Sequence, residues 1–82
     1  MSLEQLRGAP RKTIGTKQTR KALERQEVAT LFVARDAEDH IIDPVIDLGE
    51  EQDIEIAFVD TMTKLGKACG ISVGAAVAAI LR

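Results

Sequence analysis

Apolar positions along the chain fall into short blocks of strand length separated by amphipathic segments. Val28–Ala34 reads VATLFVA, apolar on both alternating faces, as a strand buried between two layers would be. Ile54–Val59 reads IEIAFV and places Ile54, Ile56 and Phe58 on one face, the period of two expected of a strand. The tail Val73–Leu81, VGAAVAAIL, is ambiguous: its alanines favour helix, while its length and preceding glycine suit a buried strand. We read it as strand. Arg11–Ile14 is short and β-compatible.

Between these blocks lie helical signals. GTKQTRKALER, Gly15–Arg25, has no breaker after its first glycine and predicts a helix. Asp43 and Pro44 form an N-cap and first-turn pair, predicting a second helix through Val45, Ile46 and Leu48 to Glu51, weakened by Gly49. Thr61 can cap a third, in which Met62, Leu65 and Cys69 share a face and Gly70 closes the end as a left-handed cap. Residues 1–10, ending at Gly8 and Pro10, have weak periodicity and read as a short frayed helix or a mobile arm. Strands alternating with helices predict an α/β fold, a single-domain three-layer α/β/α sandwich over residues 1–82 around a mixed four-stranded sheet.

At 82 residues this is one domain, too small for a wide internal substrate pocket beside its own core. Phe32 and Phe58 are the only aromatic residues, so a base-stacking platform of exposed rings is excluded. Cys69 stands alone and the start MSLEQLRGAPRK lacks an apolar leader, which points to a reducing, cytoplasmic setting. The longest apolar run, Val73–Leu81, is too short to span a membrane.

Charge is segregated. Residues 1–25 hold seven bases and two acids, residues 26–60 hold Arg35 against eleven acids, and residues 61–82 hold three bases and no acid. Asp36, Glu38, Asp39, His40 and Asp43 read as a solvated acidic loop rather than a metal cluster, and no cofactor is implied.

One segment breaks a local rule. The helix expected to start at Gly15 carries Lys17, Arg20 and Lys21 at the end where the macrodipole favours anions. Lys17 and Lys21 are also a like-charge pair four residues apart. A bound phosphate would compensate both, Gly15 would let it approach the backbone, and Gln18 could read a base edge. With one glycine the segment is not a phosphate-binding P-loop. A second constellation is LGKACGISVGAA, Leu65–Ala76, where Lys64 and Lys67 lead into a loop with Ser72 between Ile71 and Val73. Those apolar residues are either core or a cap for a splayed nucleotide.

GTKQTRKAL and LGKACGISVGAA, in this order and spacing, resemble the large-subunit ribosomal protein family that includes L7Ae and L30e, and within it the small bacterial YbxF-type branch. The match runs from about Lys12 to Leu81. The resemblance implies the three-layer fold, no enzymatic activity, and binding to kink-turn RNA, a bent duplex with a bulge beside tandem sheared G·A pairs. It implies Gly15 and Thr16 against the RNA backbone, Lys17 and Gln18 on the guanines of the G·A pairs, and Lys21 on phosphate. Ile71, Ser72 and Val73 would pack on the extruded nucleotide, with Ser72 in place of the acid of many relatives. Arg20, Lys64 and Lys67 are further candidate phosphate contacts. The expected partner is structured RNA, ribosomal or regulatory, with no membrane or small-molecule substrate, and the expected state is monomeric. The competing reading is a protein-interaction module of the same fold that uses its acidic face. Salt dependence separates the two, since RNA affinity falls steeply as counterions compete.

Overall fold

The computed structural model describes residues 3–82. In chain order these form α1 (Leu3–Gly8), β1 (Lys12–Ile14), α2 (Thr16–Glu24), β2 (Val28–Ala34), α3 (Asp39–Glu51), β3 (Glu55–Val59), α4 (Met62–Ala68) and β4 (Val77–Leu81). The strands lie in the order β1-β4-β2-β3, and β2 and β3 are parallel while the other two pairs are antiparallel. The sheet is therefore mixed, with α3 as the crossover that returns the chain for a parallel pairing.

Helices cover both faces. Gly49 of α3 lies so close to the sheet that a methyl there would sit 3.2 Å from both Leu31 and Ile56, a register pair on β2 and β3. Helix α2 packs beside α3, and α4, with α1 against it, forms the other layer. The α/β/α sandwich expected from the sequence is thus observed. Val77, Ala78 and Ala79 of the inner strand β4 are fully buried, and their small side chains let helices approach from both sides.

Leu3–Gly8 of the expected N-terminal arm is helical, and Leu6 is fully buried. Lys12 Nζ donates to the Leu6 and Arg7 carbonyls at 3.2 and 3.4 Å, satisfying acceptors left open at the end of α1. Met1 and Ser2, also part of that arm, lie outside the described residues.

Two expected boundaries are corrected. Helix α3 starts at Asp39, not at the Asp43–Pro44 pair: the Glu38 carbonyl accepts from the Ile41 and Ile42 N–H groups, so Asp39, His40 and Asp43 are helical rather than part of a loop. Burial of Ile42 and Val45 on one face outweighs the bond that Pro44 cannot donate to His40. Pro44→Ala restores that donor, and an increase of about 1 kcal/mol in stability is expected from urea unfolding. A lower midpoint would show that proline acts mainly by restricting the unfolded chain.

Phe58 is not in the core. It is 47% exposed while Val59 is buried: β3 is an edge strand, and Gly49 of α3 lies against Ile56 and Ile54. The Arg35 guanidinium lies over the Phe58 ring, 4.9 Å from its centroid, and shields the exposed face. Finally, β4 begins at Val77 rather than Val73, since Gly74 packs on Met62 and the Ala75 N–H is bonded to the Met62 carbonyl of α4.

Candidate nucleic-acid interface

The two constellations singled out in the sequence converge at one end of the sheet. Strand β1 runs antiparallel to β4, so the start of α2 lies where the Ile71–Ala76 loop enters β4. A backbone bond from the Gly15 N–H to the Val77 carbonyl, 2.9 Å, ties the two together.

Gly15 is the N-cap of α2 with φ +93°, a conformation that costs glycine little and other residues more. It supplies no side-chain cap, and the first helical bond runs from the Thr19 N–H to the Gly15 carbonyl. The N–H groups of Thr16, Lys17 and Gln18 therefore point past the helix end. Helix α2 is oriented by its buried face: Ala22 and Leu23 sit in the core, and Thr19, fully buried, shares a 2.9 Å hydrogen bond with the Thr13 hydroxyl of β1. Lys17, Gln18, Arg20 and Lys21 are consequently exposed, and none of them forms an ion pair among the described residues. Alongside runs a groove of about 350 Å³ lined by Thr13, Gln18, Lys21, Arg25, Glu27 and Leu81. Arg25 was not among the sequence candidates; its place seven residues after Gln18, on the same side of the helix, was the available signal.

The second element is built on α4. Thr61 caps it, its hydroxyl accepting from the Lys64 N–H at 3.1 Å, and it ends in a Schellman turn. There the Ile71 N–H donates to Gly66 and the Gly70 N–H to Lys67, with Gly70 at φ +80°, the expected left-handed cap. The chain then folds back over α4. A methyl on Gly66 would lie 2.0 Å from the Val73 carbonyl oxygen, one on Gly74 3.0 Å from Met62 Cβ, and the Ala75 N–H donates to the Met62 carbonyl at 3.1 Å. This leaves Val73 68% exposed and Ser72 exposed, with Ile71 half-buried against the core. Of the two alternatives for these residues, Val73 is a surface residue and Ile71 is partly core.

The remaining candidate bases lie apart from α2, on α4 in the other layer. Lys64 is paired with Asp60 at 3.4 Å, and Lys67 is exposed in the last turn. Of the acids, Asp39, Asp43 and Asp47 recur every four residues on exposed positions of α3, whereas Asp36 accepts from the Met62 N–H at 2.8 Å. Cys69 is a core residue; burial pushes its thiol up, outweighing the opposite pull of Lys12, which disfavours the reactive thiolate. Among the described residues no helix is long and apolar enough to cross a membrane.

These features define a small α/β/α domain whose sheet end joins an open, basic helix start to an exposed apolar loop. The chain belongs to the ribosomal protein L7Ae/L30e/S12e/Gadd45 family, whose model matches residues 2–82. It is 49% identical over 80 residues to the RNA-binding protein BH0128 of Halalkalibacterium halodurans, covering 98% of both chains. It is 48% identical over 82 residues to the RNA-binding protein YbxF of Geobacillus stearothermophilus, covering both in full. A solved structure, the Giardia lamblia 15.5kD RNA binding protein, superposes with TM-score 0.86 over 98% of this chain and 70% of that one; at 23% identity this likeness speaks for the fold alone.

Proposed function

We propose that this protein binds RNA without catalysis, recognises kink-turns and stabilises their bent form, acting as a cytoplasmic monomer on ribosomal or regulatory RNA. The observation that carries this reading is the junction at Gly15 and Val77, which sets unpaired bases and open N–H groups beside an exposed apolar loop. Family membership and relatives named as RNA-binding proteins support it.

The proposed roles follow from reach and chemistry. Thr16 offers its backbone N–H to a phosphate or sugar, Gly15 has no side chain to block the approach, and Lys17 and Gln18 project from the first turn toward base edges. Lys21, one turn further on the same face, meets the next phosphate, with Arg20 to one side. Val73, with Ile71 and Ser72, offers an apolar rest for a nucleotide turned out of the stack. A bent RNA with a splayed nucleotide has a partner for each element, whereas a straight, fully paired duplex has none for the apolar loop. Binding therefore draws the RNA population toward the bent form in proportion to the difference in affinity.

The test is a titration against a kink-turn RNA and against the same RNA with both G·A pairs changed to Watson–Crick pairs, at near-physiological salt. The kinked RNA is expected to bind at least about tenfold more tightly, a difference of about 1.4 kcal/mol. Equal affinity for the two would leave a general RNA binder and remove kink-turn recognition.

A further inference from the structure

Met62, the first residue of α4, is held from two directions. Its N–H donates to Asp36 Oδ1 at 2.8 Å, and its carbonyl accepts from the Ala75 N–H at 3.1 Å. Gly74 packs on its side chain, and Val73 lies one turn further along against Gly66. The first turn of α4 is thus the platform of the Ile71–Gly74 loop. Thr61 caps that helix from within the same segment, whereas Asp36 comes from the connection between β2 and α3, just after Ala34 is bonded to Ala76. Asp36 is the side chain among the described residues that ties the start of α4 to that connection.

We propose that Asp36 is a positioning residue for RNA binding, holding the Ile71–Val73 loop in place through Met62. The inference rests on the RNA-binding reading above. It runs against simple electrostatics, and that makes it decidable. Asp36 is exposed at the same end of the sheet as the start of α2, so deleting its charge should by itself tighten binding to a polyanion. If its carboxylate oxygen holds the platform, deletion weakens binding instead. The two accounts differ in sign.

The experiment measures kink-turn RNA affinity for Asp36→Ala and Asp36→Asn well below the unfolding temperature, together with hydrogen exchange of the Ala75 amide. Asp36→Ala is expected to bind about three- to tenfold more weakly and to exchange faster at Ala75, as the loss of one charge-assisted hydrogen bond implies. Asp36→Asn, whose amide oxygen still accepts, is expected to restore both. The loss should also be smaller when Val73 is already alanine, since the loop would then have less to contribute. Tighter or unchanged binding by Asp36→Ala overturns the proposal, as does an Asp36→Asn variant as weak as Asp36→Ala. Val45→Ala, a core change in α3, controls for stability; an equal loss of affinity there would assign the Asp36 effect to global destabilisation and overturn the proposal. Lys17→Ala and Val73→Ala separate the two readings. If neither weakens binding, the RNA site itself fails and the role of Asp36 fails with it; if both do and Asp36→Ala does not, only the role of Asp36 fails.

Discussion

Gly66→Ala is expected to cost about 2–4 kcal/mol of stability and to remove most of the affinity for kinked RNA. By helix propensity alone the change would stabilise by about 1 kcal/mol, since Gly66 is inside α4. Contact reverses the sign. The added methyl would fall 2.0 Å from the Val73 carbonyl oxygen, 3.0 Å from its carbon and 3.1 Å from Gly74 Cα, all backbone atoms that no rotamer change can move aside. The loop must lift off α4 by more than about 1 Å, breaking the bond from Ala75 to Met62 and carrying Val73 away from the start of α2. Thermal unfolding and RNA titration check this, with Gly8→Ala as control, where a methyl meets nothing within 4 Å. A Gly66→Ala protein with unchanged midpoint and unchanged affinity would mean that the loop does not rest where the packing requires.

The second large effect is expected from Lys17→Ala combined with Lys21→Ala. Both lysines are exposed and unpaired among the described residues and repel each other across one turn; Lys17 sits in the first turn of α2, where cations are disfavoured, and Lys21 in its last. Removing them should therefore leave stability unchanged or raise it by a few tenths of a kcal/mol. RNA affinity should fall about 100-fold, and the slope of log affinity against log salt should flatten by roughly 1 as the Lys21 phosphate contact is lost along with the Lys17 base contact. Unimpaired folding with impaired binding is the signature of residues kept for a ligand. Undiminished affinity in this variant would move the RNA site away from α2.

Both predictions depend on residues of different legibility. Lys17 and Lys21 could be singled out from the sequence because they violate a local rule, and a violation is visible without knowing the neighbours. Gly66 could not, since a glycine inside a helix has many causes and its reason here lies in the chain about seven residues later. Asp36 read as one more solvated acid for the same reason: its partner, Met62, is 26 residues away. Phe58 matched the period of a strand, but the pattern does not say which strand lies at the edge, and its exposure follows from the order β1-β4-β2-β3. The Asp43–Pro44 pair carried a sound start signal that was overruled by the burial of Ile42, a tertiary gain larger than the bond lost at Pro44.

By itself, then, the sequence determined what depends on residues near one another in the chain: the alternation of strands and helices, the turns at Gly15 and Gly70, the segregation of charge, and the family to which its two motifs point. What depends on distant segments meeting could be read from the folded chain alone. Folding brought the start of α2 to the loop before β4 through Gly15 and Val77, seated that loop on Gly66 and Met62, and gave Asp36 a partner. The physical reason is range. Propensity, capping and periodicity act over a few residues, whereas close packing and hydrogen bonding act between whatever surfaces the fold presses together.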